Sequence, residues 1–312
     1  MPERARRPED ARLTELADRV HAYIQPDGGW CVNNAGVLAD RRRTILIDTA
    51  ATERRAHRLR SAVAALGAAA PSLVVNTHHH GDHTFGNMVF APRAAVLAHE
   101  RTRTEMARSG LALAGMWPEV EWGELRVELP TLTFADRLTL HLDDFTVELI
   151  HPGAAHTTND TLVWLPEQRV LFAGDVALSG CTPFVLMGSV AGTLSTLDSM
   201  RALEPEIVVC GHGPVAGPEV LDTNAAYLRW LTGLTVDGIA AGLDPLELAR
   251  DVDLGRFADL LDSERLVANL HRAYLEQPVH GRSPLPLGAH LPSAGPFRDM
   301  ITLAGHHPAS HA

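Results

Sequence analysis

Four potential metal ligands, His78, His80, Asp82 and His83, fall within six residues in the run Thr77-His78-His79-His80-Gly81-Asp82-His83. His78 and His80, two apart across a tight turn, can bring both imidazoles to one ion. Asp82 and His83 follow Gly81 and can address a neighbouring ion. Imidazole and carboxylate suit zinc or iron, and a His/Asp set without thiolate fits a catalytic site better than a closed structural one. Three further candidates stand at equivalent places: His156, Asp175 after Gly174, and His212 after Gly211. Each follows an apolar strand and a glycine-containing loop, and strand ends along one sheet edge can converge in space. Taken singly, these three read equally well as surface or capping residues. Repetition of the pattern beside the histidine run makes them a constellation.

The elements that must position them alternate between strand and helix. Thr44–Asp48, Leu73–Thr77 and Ala94–His99 are short branched runs that read as buried strands, with helices expected over 52–69 and 100–112. In the second half, Leu138–Leu142 and Phe145–Ile150 alternate as a hairpin around Asp143-Asp144. Thr161–Leu165, Val170–Ala173 and Ile207–Cys210 are further strands, and Thr193–Leu203 reads as a helix capped by its threonine. Residues 1–18 read as a charged arm or short helix, 19–235 as the main domain, 236–276 as a helical extension packed on it, and 277–312 as an irregular tail. The pattern is α/β, with sheets flanked by helices.

Composition narrows the chemistry. All 27 basic residues counted as Lys+Arg are arginine, so amine nucleophiles and Schiff bases are excluded. A net charge of −11 argues against a nucleic-acid partner, which calls for a basic footprint. Three scattered cysteines form no CxxC and no disulfide framework. With no apolar leader at the N-terminus and no long apolar run, a soluble cytoplasmic protein without a membrane span is expected.

The ligand pattern His78-x-His80-x-Asp82-His83, then His156, Asp175 and His212, resembles that of the metallo-β-lactamase fold superfamily over residues 19–235. The resemblance implies an αββα sandwich of two mixed sheets flanked by helices, with two Zn2+ per chain at one edge, iron or manganese being alternatives. It implies that His78, His80 and His156 hold one ion and that Asp82, His83 and His212 hold the other. Asp175 would bridge the two, and His79 would be a spacer. Asp82 and Asp175, with a metal-bridging hydroxide, would carry the catalysis; zinc lowers the pKa of bound water to about 7.

A narrower resemblance rests on Gly28-Gly-Trp-Cys-Val-Asn-Asn-Ala-Gly36, His83-Thr-Phe-Gly-Asn87, Trp117-Pro-Glu-Val-Glu-Trp122, Leu171-Phe-Ala-Gly-Asp175 and Gly211-His-Gly-Pro-Val-Ala-Gly217. These segments are similar to the zinc-dependent cyclase/thioesterases of bacterial aromatic polyketide pathways. That resemblance implies a poly-β-ketone substrate held as a thioester on an acyl carrier protein. It would undergo aldol condensation with dehydration, closing a second ring, and then thioester hydrolysis. Trp30, Asn34, Phe85, Trp117 and Trp122 are the expected substrate-binding residues, each with core packing or a backbone role as the plain alternative.

Rival readings are a general hydrolase of small thioesters or lactones resembling glyoxalase II, and a non-catalytic metal-binding module. Arg41–Arg43 reads as a solvated turn, or secondarily as a docking patch for an acidic carrier. Residues 218–276 either cover the site mouth or form a homodimer face.

Overall fold

The computed structural model describes residues 11–278 and 293–312. Two mixed sheets carry the chain. The first comprises β1 (Arg12–Ala17), β2 (Val20–Ile24), β3 (Ala35–Ala39), β4 (Thr44–Ile47), β5 (Pro71–Val75), β6 (Ala95–His99) and β7 (Leu132–Phe134), side by side in chain order. Its first four strands run antiparallel and the rest parallel from β4 onward. The second comprises β8 (Arg137–His141), β9 (Thr146–Ile150), β10 (Leu162–Leu165), β11 (Val170–Gly174) and β12 (Ile207–Cys210), antiparallel except for the parallel pair β11–β12.

Strand composition explains the layering. In β4, Ile45 and Ile47 face the second sheet, while Leu46 packs outward with Leu59 and Val63 of α1 (Glu53–Ala65). In β11, Val170 and Phe172 face the first sheet, and Leu171 and Ala173 face the helices beyond. Strands buried on both faces are apolar throughout, unlike the alternating strands of a half-solvated sheet. Burying each such large side chain is worth about 1.5–3 kcal/mol. Four short helices lie between β5 and β7: α2 (Gly81–Thr84), α3 (Asn87–Phe90), α4 (Glu100–Ser109) and α5 (Ala112–Met116). The outer layer over the second sheet is α6 (Val190–Ala202), α7 (Glu219–Ala241), α8 (Pro245–Asp251), α9 (Arg265–Glu276) and α10 (Ala294–Ala304). The result is the expected αββα sandwich.

Four local expectations are corrected. Of the expected arm, residues 1–10 lie outside the described residues, but Arg12–Ala17 is an edge strand paired with β2. Leu13 and Leu16 anchor it, a pattern hidden among the charges. The helix expected over 100–112 stops at Ser109, because Gly110 takes φ 55 and ends it. The helix placed at Thr193 begins at Val190, where the Ser189 side chain accepts from Gly192 N. Of the tail, residues 279–292 lie outside the described residues, whereas Ala294–Ala304 is a helix whose Met300 is buried. Among the described residues no helix is long and apolar enough to cross a membrane.

Candidate metal centre

The seven residues of the pattern come together at one edge of the sandwich, where β5, β11 and β12 end. The ligand atoms of His78, His80, His156 and Asp175 lie within 4.8 Å of one another, as do those of Asp82, His83 and His212. Asp175 stands between the groups. Its Oδ2 is 3.5 Å from His156 Nε2 and 3.4 Å from His212 Nε2, and its Oδ1 is 3.2 Å from His83 Nε2. Atoms sharing one zinc at bond lengths of about 2.0–2.1 Å must stand roughly 3.3 Å apart. Here His80 Nδ1 and His156 Nε2 are 3.1 Å apart, and His212 Nε2 is 3.3 Å from Asp82 Oδ2.

Local sequence dictates how each side chain is held. His80 caps α2 in extended backbone, and the turn is tight because Gly81 has no side chain. A Cβ there would stand 2.3 Å from the Phe85 ring packed beneath it. Gly211 does the same for Asp175, since a Cβ would stand 1.8 Å from its Oδ1. The far ring nitrogens are also committed. His156 Nδ1 pairs with the Phe184 carbonyl at 2.5 Å, His212 Nδ1 with those of Gly28 and Gly29, and His78 Nδ1 with the Thr77 hydroxyl. Each bond directs Nε2 inward, as metal-ligating histidines require. His78 Nε2 is left buried without a hydrogen-bond partner.

Electrostatics divides the cluster. Burial, then neighbouring imidazoles, pushes His78 and His80 well below the usual histidine range. Burial acts on His83 in the same direction, but Asp175, Asp48 and Asp82 outweigh it and hold His83 well above that range. Burial also opposes charge on His212, which Asp175 and Asp82 raise to about 9. Asp175, though buried, is kept well below the carboxylate range by His212 and His83. The orphaned inward nitrogen of His78, the uncharged imidazoles of His78 and His80, and the Asp82 and Asp175 carboxylates held anionic form a donor set that fits divalent cations.

His80, Asp82, His156, Asp175 and His212 open onto a cavity of about 60 Å3. Trp30 and Trp117, expected as wall residues, line it; so do Phe184, Met116, Met187 and Phe297. The other three expected wall residues stand elsewhere. Asn34 is a backbone device, donating to the Cys210 and Gly213 carbonyls on either side of His212. Phe85 packs under Gly81, and Trp122 donates to the Trp117 carbonyl at 2.9 Å, bracing that residue from behind. His79 is buried against Asn159 and belongs to neither ligand group, although its ring lies 4.6 Å from that of His80. Sequence reasoning missed Asp48, buried at the end of β4, which accepts from His83 Nδ1 and twice from Thr77. Its signal was available, since an aspartate closing an apolar strand is the pattern that picked out Asp175.

The sequence model of the metallo-beta-lactamase superfamily matches residues 28–212. The chain belongs to this superfamily, whose members are mostly metal-dependent hydrolases. Among curated relatives, the type 2 metallo-beta-lactamase of Bacteroides fragilis is 25% identical over 69% of this chain and 84% of its own length. The alpha subunit of 2,4-dinitroanisole O-demethylase from Nocardioides sp. (strain JS1661) is 28% identical over 60% of this chain and 51% of its own. A hydroxyacylglutathione hydrolase from Synechococcus sp. (strain JA-3-3Ab) is 31% identical over 45% and 48%. The chain thus spans about half the length of the latter two. Among solved structures, a metallo-beta-lactamase from Pontibacter korlensis superposes with TM-score 0.59 at 20% identity, covering 70% of this chain and 99% of that one. The DIM-1 metallo-beta-lactamase gives 0.57 at 19%, covering 70% and 97%.

Proposed function

We propose that the protein is a dinuclear zinc enzyme acting on an aromatic polyketide held as an acyl-carrier-protein thioester, as cyclase and thioester hydrolase. The observation that carries this reading is a His/Asp cluster opening directly onto a wall of indole, phenyl and thioether side chains. Such a wall suits a flat, partly aromatised acyl group.

His78, His80 and His156 would hold one cation and Asp82, His83 and His212 the other, with Asp175 shared. Two cations bound there would acidify a water and polarise the substrate carbonyl. The chain's own residues supply the rest. Asp82 and Asp175 offset the positive charge, the backbone-tethered histidines fix its position, and Trp30, Trp117 and Phe184 exclude bulk water. In hydrolysis, water adds to the thioester carbonyl, the C–S bond breaks, and the thiol leaves with a proton. In cyclisation, an acidic carbon between two carbonyls adds to a third, forming a C–C bond, and water is then lost. No serine or cysteine nucleophile is needed. Cys210 is buried, and burial holds its thiol far above the ordinary range.

The hydroxyacylglutathione hydrolase relative favours a second reading, a hydrolase of small thioesters. Incubating zinc-loaded protein with a carrier-bound poly-β-ketone separates the two. A product smaller by one water with a new ultraviolet band supports the cyclase, whereas free linear acid alone supports the plain hydrolase. Arg41 and Arg42 are exposed at the β3–β4 turn, at the opposite end of β4 from Asp48, so they are badly placed to dock a carrier at the cavity.

A further inference from the structure

One wall of the cavity comes from the C-terminal segment, beyond the span matched to the superfamily. Ser293, Phe297 and Met300 line it, and Phe297 meets Trp117 edge to face with ring centroids 5.6 Å apart. Gly305, at φ 74, ends α10, and residues 306–312 then run back across the two indoles. Trp117 Nε1 donates to the Pro308 carbonyl at 2.7 Å, and Ser310 Oγ donates to the Trp30 carbonyl at 3.0 Å. The His307 ring packs on Trp117 and Phe297, and Arg55 donates to the His311 carbonyl.

This strap closes the site. Trp117 lines the cavity yet is 0% exposed. The volume of about 60 Å3 admits a few waters, against roughly 300–1,000 Å3 for an ordinary ligand pocket. A bicyclic aromatic acyl group is too large for that space while the strap lies where it does. Its seat is shallow, however, because within 305–312 only Pro308 is buried.

We propose that residues 305–312 are a latch on Trp30 and Trp117 that must release before substrate enters, and that Phe297 selects flat acyl groups over short ones. This inference rests on the reading of the cavity as the acyl site of a thioester hydrolase.

The test uses the zinc-loaded 312-residue chain, a form lacking 305–312, Ser310→Ala and Phe297→Ala, each checked for folding by circular dichroism. Quenching of tryptophan fluorescence by 2-acetylnaphthalene should level off with concentration in the full chain, at the rate of latch release. In the shortened form it should be linear and at least about tenfold faster, with Ser310→Ala moving the same way by less. If the shortened form does not fold, Ser310→Ala decides alone. Phe297→Ala should cut the kcat/KM preference for the 2-naphthoyl over the acetyl thioester of N-acetylcysteamine by about tenfold, through KM. Equal quenching rates in all forms overturn the latch, as does failure of 2-acetylnaphthalene to bind any form. An unchanged naphthoyl-to-acetyl ratio overturns the role of Phe297. Should neither thioester be hydrolysed, the hydrolase reading fails, while the quenching rates still judge the latch.

Discussion

Asp48 Oδ2 lies 2.8 Å from His83 Nδ1, and the same carboxylate accepts from the backbone N–H and the hydroxyl of Thr77. Three donors converge on one buried anion, which fixes the His83 ring with Nε2 turned to Asp175. Outer partners of this kind are worth about 10–100-fold in metal affinity. Asp48→Ala should weaken one of two zinc-binding steps by that factor in a chelator-competition titration. Two unchanged steps would remove Asp48 from the site.

Gly211→Ala should empty the site without unfolding the protein. The added methyl would stand 1.8 Å from Asp175 Oδ1 and 2.8 Å from the Gly174 carbonyl carbon, so the shared carboxylate must move. Overpacking of this kind costs about 1–3 kcal/mol, and zinc content per chain should fall. Gly233→Ala is the control: nothing lies within 4 Å of its Cβ inside α7, and its melting temperature should hold or rise.

Chelation should abolish hydrolysis, and added zinc should restore it. Each cation also stabilises the fold by mass action, about 4 kcal/mol at a thousandfold excess over Kd, so the melting temperature should drop on chelation. His80→Ala and Asp175→Ala should lose activity that zinc does not restore. A fully active, metal-free preparation would sink the dinuclear reading.

Asn34→Ala should act on stability rather than on substrate. Its amide donates to the Cys210 carbonyl at 3.0 Å and the Gly213 carbonyl at 2.7 Å, bracketing His212. Leaving buried carbonyls unpaired costs about 1–3 kcal/mol each. Thermal unfolding should shift accordingly, with KM unchanged; a raised KM would return Asn34 to the substrate wall.

His99 should make the fold acid-sensitive. Burial first, then the His151 ring stacked at 3.8 Å, lowers its pKa to about 4 from an ordinary 6.5. Between those values the unfolded chain binds the proton and the folded chain does not, so stability falls as pH drops from 6.5 towards 4. His99→Gln should flatten the dependence of the melting temperature on pH in that window, and an unaltered slope would acquit His99.

The metal centre was more legible than its surroundings. Ligands announce themselves by residue type at strand ends, and the strand ends follow from short apolar runs such as Ile45–Ile47 and Val170–Ala173. The cavity wall was half legible: Trp30 and Trp117 line it, but Phe85 and Trp122 serve as packing, since aromatic residues look alike in sequence whichever way they point. The strand at Arg12–Ala17 and the helix at Ala294–Ala304 escaped because tertiary burial of a few apolar side chains, Leu13 or Met300, outweighs a polar local composition. Asp48 escaped although it closes an apolar strand as Asp175 does, because it lacks the preceding glycine that marked the other candidates.

The three thiols carry a practical consequence. Cys31, Cys181 and Cys210 are all buried and unpaired, and burial raises Cys31 well above the usual thiol range and Cys181 to about 12. The resting molecule is therefore silent to thiol reagents, and without lysine its side chains are silent to amine reagents as well. Cys31 alone of the three lines the cavity. Slow alkylation of the native protein at Cys31 is then a clock, and what it counts is how often the strap lets go.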